Sequence, residues 1–367
     1  MRIAYLFNSS TPSSNPSSIQ VVNTCSALVA LSHRVKLIVP NTGQKVRLQK
    51  FYGINKSPKL IKLKYFNEFP QGIHYYLFSF FSIAYAIFDK TELYITRNIF
   101  NLILLNILNK KVIIEIHHDL HNEGRILKFL CKYINVFNKE NIVKIVAITN
   151  AVKKYLIKNF NIDPNKIEVI SSASSLKFKF SNLKKKKFYN IGYFGSLDSS
   201  KGANFIIKLA RKDKLNKYSI YGGSQYEVSR LKKKGIPNNL KINQSVYYGK
   251  LKPIISKMDI LLMPSSTKKI RSIGNIGNIV KFTSPLKLFD YLASGKLIIT
   301  SNVSVFKEIL LDGKNCLVVN NFKTANWIKI INKVKFETSK INNIKRNAFK
   351  LSKKHTYLKR AEKILNF

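Results

Sequence analysis

YNIGYFGSLDSSKGANFIIKLA, residues 189–210, carries a short apolar strand, a glycine exit and the start of an amphipathic helix. Ile191–Phe194 is the strand, Gly195 permits a close turn, and Lys201-Gly202 precede a helix beginning near Ala203. A strand that leads through glycine into a helix opens a βαβ unit, because parallel strands need a crossover. The same alternation continues outward on both sides. After it, KYSIYGG, VYYG, DILLMP, KLIITS and CLVV read as strands with helices between them. Before it, RIAYLF, RVKLIVP, LIKLKYF, ELYIT, KVIIEIH, KIVAIT and KIEVIS do the same. Short Ile/Val-rich runs spaced by helical segments specify doubly wound α/β sheets.

The 367 residues exceed the usual size of one core, so two domains are expected. The small-residue run SSASS (171–175) and the basic NLKKKK (182–187) break the alternation. The expected division is an N-terminal Rossmann-like domain over 1–175, a linker over 176–187 and a C-terminal Rossmann-like domain over 188–351. Ligands of such sheets bind outside the carboxyl ends of the strands, so a cleft between the halves is the expected site.

With 64 Lys+Arg against 18 Asp+Glu, the chain has a formal charge of +46. Codon bias is one source, since Lys, Asn and Ile crowd the sequence together. An anionic membrane and a nucleic acid are the physical alternatives. Aromatic and basic residues do not interleave on a recognisable nucleic-acid module, so no nucleic-acid partner is expected. Cys25, Cys131 and Cys316 are far apart and have no metal-ligand spacing, which suits a reducing, cytoplasmic setting. The opening MRIAYLFNSS reads as a strand rather than a signal peptide. The greasiest segment, Ile73–Phe88, has 16 residues with His, Ser and three Tyr, short of the ~20 that a span needs. A buried helix is the favoured reading there, with a membrane-dipping helix as the alternative.

The exit of the first strand, Asn8–Ser18, has no glycine, which makes it a poor dinucleotide site but a loop suited to hydroxyl-bearing ligands. In the second half, Gly195, Ser196 and Lys201 at one strand exit, with Gly222 and Gly223 at the next, form a candidate anion site, Lys201 acting as a point charge for phosphate. FTSPLKLFDYLASG (282–295) reads as a helix with Thr283 and Ser284 available as caps, Pro285 in the first turn and Gly295 at the exit. Lys287 in the first turn opposes the helix dipole. A diphosphate at the amides of Leu286 and Lys287 removes that conflict, and Asp290, three residues on, shares the face and can accept hydrogen bonds from sugar hydroxyls. A solvated salt bridge is the plainer reading of the pair.

His117 and His118 follow the strand KVIIEIH, with Asp119, His121 and Glu123 nearby. This string is not a known ligand spacing, so no metal site is expected, and a histidine hydrogen-bonded to a substrate hydroxyl suits it better. The chain has no Asp-x-Asp pair, Walker loop, HExxH or Gly-x-Ser-x-Gly elbow. Charge on a leaving diphosphate would then be met by lysines and helix termini.

Nearly the whole chain resembles the retaining GT-B glycosyltransferases of family 4, also called group 1. The resemblance is carried by SSIQVVNTCSALVALSHRVKLIVP, LYITR, IIEIHHDL, IVAITNAVKKYLIKNFNIDPNKIEVI, YFGSLDSSKG, IYGG, VYYGKLKPIISKMDILLMP, SPLKLFDYLASGKLIITSNVSVFKEILLDGKNCLVV and NAFKLSKKHTYLKRAEKIL. It implies a nucleotide-sugar donor on the C-terminal domain, an acceptor on the N-terminal domain, retained anomeric configuration, and neither metal nor cofactor. Lys201 matches the family's phosphate-binding lysine, Ser284–Lys287 the helix start that meets the diphosphate, and Asp290 the position of the ribose-binding Glu. His117 best matches the cleft histidine, with His118 second. A last helix over 352–367 is expected to return to the N-terminal domain.

Two positions depart from the family pattern: Ser196 replaces its Arg and Phe282 replaces a sugar-reading Glu. The expected function is transfer from a UDP- or GDP-sugar to a saccharide, lipid-linked acceptor in surface polysaccharide synthesis, at the inner face of the cytoplasmic membrane. The alternative is a non-catalytic homologue that binds sugar nucleotide or membrane in an assembly complex.

Overall fold

The computed structural model describes residues 1–43, 46–65, 68, 72–120, 125–233, 235–271 and 277–367. The chain divides into two compact units. The first comprises Met1–Ala173, Phe282–Ser284 and Tyr357–Phe367; the second comprises Ser174–Lys281 and Pro285–Thr356.

The first unit contains strands β1 (Arg2–Leu6), β2 (Arg34–Pro40), β3 (Lys59–Leu63), β4 (Leu93–Thr96), β5 (Val112–Ile116), β6 (Ile142–Ala147) and β7 (Ile167–Val169). They form a parallel sheet of order β3-β2-β1-β4-β5-β6-β7. Every residue of β4 and β5 is buried, as expected of central strands covered on both faces. The last helix, Tyr357–Leu365, packs on the first helix, Pro16–Ala30, within this unit.

The second unit contains β8 (Asn190–Phe194), β9 (Lys217–Tyr221), β10 (Leu240–Asn243), β11 (Ile260–Met263), β12 (Leu297–Ser301) and β13 (Leu317–Val319). These are also parallel, in the order β10-β9-β8-β11-β12-β13. Both sheets reverse their strand order beside their first strand, between β1 and β4 and between β8 and β11. That reversal is where α/β sheets bind ligands. Two parallel sheets with flanking helices form the GT-B arrangement of a two-domain α/β protein.

Three expectations are corrected. VYYG is not a strand: Tyr248–Lys250 is a 3-10 turn, and the strand lies earlier, where Leu240 and Ile242 alternate into the core. Residues 176–187 are not a free linker, because Leu176 and Phe178 pack on the second unit's core and the Leu183 amide donates to Asn342 Oδ1 at 2.6 Å. The helix Ile73–Phe88 forms with the expected bounds, yet it is buried on one face only. Phe78, Ser79, Ser82, Ile83 and Ala86 turn inward, while Ile73, Tyr76, Phe80, Phe81 and Phe88 are exposed, Phe88 by 88%.

Candidate functional site

In the second unit the exits of β8 and β9 touch backbone to backbone. A Cβ on Gly222 would fall 1.7 Å from the Gly195 carbonyl oxygen, so no side chain fits there. The Gly195 amide donates to the Tyr221 carbonyl at 3.0 Å, fixing the two turns together. Gly223 (φ +71°) and Gly202 (φ +97°) both sit in backbone conformations that favour glycine; a Cβ would lie 2.6 Å from Leu197 and 2.2 Å from the Pro264 carbonyl oxygen, respectively. Pro264 follows β11, so the turn bearing Lys201 is pressed against the strand next to β8. Asp198 caps that turn by accepting from the Ser200 amide at 2.8 Å.

The helix Leu286–Ser294 brings Lys287 to the same place. A Cβ on Gly195 would lie 3.5 Å from Lys287 Nζ, and the ammonium sits 4.3 Å from the centroid of the Tyr193 ring. Lys287 Nζ is buried and has no hydrogen-bond partner among the described residues. Burial, helped by the charge of Lys201, pulls its pKa down to about 7. Burial also lowers the pKa of Lys201, which Asp198 partly restores. Gly195, Gly222, Lys201 and Lys287 are therefore brought together as a concentration of positive charge, while Ser196 is exposed beside them and accepts from Tyr193 Oη through its carbonyl at 2.9 Å.

Asp290 is placed differently. Its carboxylate is buried, and Oδ1 accepts from Ser174 Oγ at 2.6 Å and Tyr248 Oη at 2.7 Å. Burial raises its pKa to about 6 against the pull of those two donors. The helix start also differs from expectation. Pro285 is the N-cap, without a side-chain cap bond, and Thr283 and Ser284 lie before it. Ser284 instead bonds Ser172 in the first unit: its Oγ accepts from the Ser172 amide at 3.3 Å and its carbonyl from Ser172 Oγ at 2.8 Å. Phe282 packs in the first unit's core, its ring centroid 5.7 Å from that of Tyr155. The residue standing in place of an acid thus has a packing role.

In the first unit Glu115 on β5 is 1% exposed and gathers three donors. Arg360 Nη2 lies at 2.9 Å, His117 Nε2 at 3.2 Å and Tyr5 Oη at 3.2 Å. Burial alone would raise this carboxyl, but Arg360 and His117 hold it well below the usual carboxylate range. Burial and the charge of Arg97 push His117 down to about 3, against the pull of Glu115. His118 is separate, its Nδ1 meeting the Asp119 carbonyl at 2.6 Å. Among the described residues no three His, Cys, Asp or Glu side chains are grouped to hold a metal, and His121 and Glu123 lie outside the described residues. Arg360, Tyr193 and Tyr248 escaped the sequence reading because their partners are 245, 94 and 42 residues away.

Comparison with known proteins bears on both units. A family model described as "Glycosyl transferases group 1" matches residues 174–351, and one described as "Glycosyltransferase Family 4" matches 17–173. The chain belongs to the group 1 glycosyltransferases. No curated protein sequence matches this glycosyltransferase. Solved structures share its fold at low identity. HepE of Anabaena, in complex with UDP-glucose, is 15% identical with TM-score 0.70, covering 99% of this chain and 98% of that one. A glycosyltransferase of Rickettsia africae is 16% identical with TM-score 0.71, covering 100% and 98%. WaaG, a glycosyltransferase involved in lipopolysaccharide biosynthesis, is 13% identical with TM-score 0.66, covering 100% of both chains.

Proposed function

We propose that this glycosyltransferase moves a sugar from a UDP- or GDP-linked donor, held by the second unit, to a saccharide acceptor held by the first. The observation that carries the reading is the buried Lys287 ammonium, without a hydrogen-bond partner among the described residues, beside Lys201 and the Gly195 turn. A buried cation without a counter-charge is costly, and a diphosphate offsets that cost. The donor's C1–O bond to the diphosphate breaks as the acceptor oxygen bonds C1 from the same face, so configuration is retained. The acceptor's proton leaves on the diphosphate. Lys201 and Lys287 stabilise the departing charge in place of a metal ion. Asp290, read as the ribose contact, supports that part of the site with Oδ1 already committed to Ser174 and Tyr248.

The acceptor is lipid-linked and the enzyme works at the surface of an anionic membrane. Support comes from the +46 charge and from the exposed apolar face of Ile73–Phe88. Among the described residues no helix is long and apolar enough to cross a membrane.

The test is calorimetric titration with UDP, GDP and their sugars, followed by transfer assays with and without EDTA and NMR of the product's anomeric configuration. Micromolar binding with metal-free, retaining transfer is expected. Sugar-nucleotide binding without turnover on any acceptor of a broad panel would instead support a non-catalytic homologue.

A further inference from the structure

His117 hydrogen-bonds a group whose own state is set from the far end of the chain. A carboxylate only accepts, so if Glu115 is ionised, His117 Nε2 must carry the proton. Glu115 is fully buried, where a lone carboxyl would take up a proton. Arg360 prevents this by placing Nη2 2.9 Å from Oε1. The guanidinium is itself anchored, Nη1 donating to the carbonyls of Ile170 at 2.7 Å and Ser171 at 2.8 Å. Tyr5 Oη adds a third donor to the carboxylate. The other groups acting on this cluster are Arg97, which opposes a second proton on His117, and Cys25, whose thiol is buried near Glu115.

We propose that Arg360, acting through Glu115, is a positioning residue that holds the one proton of the buried His117 imidazole on Nε2, leaving the Nδ1 lone pair to accept a hydrogen bond from a substrate hydroxyl. The contact with substrate rests on the function proposed above; the tautomer does not. A neutral imidazole held this way cannot act as a general acid, and its bond to the hydroxyl selects a donor group oriented toward Nδ1. The last helix thereby sets the chemistry of the residue that follows β5. A role for Arg360 confined to bracing the helix would leave the imidazole free to choose its tautomer.

The proposal is tested by side-chain nitrogen NMR of the ¹⁵N-labelled protein between pH 5 and 8, with the six histidines resolved and His117 assigned by His117→Gln. The expected result is a neutral His117 with a single Nε2–H tautomer across the range. A His117 protonated on Nδ1, or titrating near pH 6.5, overturns the proposal whatever the enzyme's activity. Glu115→Gln and Arg360→Gln are expected to yield mixed tautomers at His117 with backbone amide spectra otherwise unchanged, and Arg360→Lys to restore the single form. In transfer assays the two Gln variants are expected to lower kcat/KM about tenfold, the scale of one hydrogen bond to substrate, while the Kd for UDP stays unchanged. Tautomer mixing without loss of kcat/KM overturns the substrate contact. If Arg360→Gln fails to fold, the wild-type tautomer and the Arg360→Lys and Glu115→Gln spectra still decide it.

Discussion

In the first unit the buried guanidinium of Arg360 meets a carboxylate and two carbonyls; in the second the buried ammonium of Lys287 has no hydrogen-bond partner among the described residues and lies over the face of a tyrosine ring. Both are cations removed from water, and each faces a desolvation cost. Arg360 offsets most of it within the protein through Nη1 and Nη2, its Nε having no partner among the described residues. Lys287 does not, and the shortfall shows as a pKa near 7 instead of the ordinary lysine value. A charge satisfied by the chain organises the chain, whereas a charge left unsatisfied is available to a ligand.

The largest effect that would break this contrast is loss of either second-unit cation. Lys287→Ala and Lys201→Ala are each expected to lower kcat by about 10²–10³, as for removal of one donor to a developing oxyanion, with the fold intact by circular dichroism. Unchanged turnover would put the diphosphate elsewhere. Next is Gly222→Ala. Its methyl group would fall 1.7 Å from a carbonyl oxygen, and forcing the turns apart is expected to destabilise the protein by about 1–3 kcal/mol or more in urea unfolding and to weaken UDP binding.

A smaller effect concerns pH. Between pH 7 and about 10 the unfolded chain holds a proton that native Lys287 has lost, so this group's destabilising contribution is full below pH 7 and fades as pH rises. Lys287→Met is therefore expected to raise the ligand-free melting temperature at pH 7 by about 2–4 °C, which scanning calorimetry reads directly. An anion restores the proton, so UDP binding is expected to take up a proton at pH 8 and to weaken above it. Calorimetry in buffers of differing ionisation enthalpy measures that uptake. Smallest for catalysis, Phe80→Ser with Phe88→Ser is expected to reduce binding to vesicles of phosphatidylglycerol several-fold while leaving transfer to a short soluble acceptor unchanged. Retained vesicle binding would assign the lipid contact to charge alone.

How much of this was readable beforehand follows from the range of each interaction. Most strand runs, the glycine exits and the Lys201 turn are local patterns, and they stand where their residues predict. Tyr248 was misjudged as strand because its aromatic neighbours mimic one, whereas its hydroxyl is used across the unit by Asp290. The outward face of Ile73–Phe88 was misjudged because length and apolarity cannot say which side meets the core; the inward serines, Ser79 and Ser82, carry that information, Ser79 taking a bond from Asn8 Nδ2 at 2.6 Å. The three donors on Glu115 span residues 5 to 360, and no window of sequence holds them together.

The final helix, Tyr357–Leu365, belongs to the unit that is built mostly from residues 1–173. Residues 1–173 are made long before Arg360, so a sheet that closed at that stage would hold Glu115 with no guanidinium beside it. A buried carboxyl in that condition takes up a proton or keeps the strand open. The second unit, whose residues all precede Tyr357, can finish first, and the N-terminal unit is complete only once Tyr357–Phe367 has been made. Order of synthesis and order of completion are thus reversed, and a chain lacking Tyr357–Phe367 would leave the Glu115 carboxylate without its guanidinium at the opposite end of the sequence.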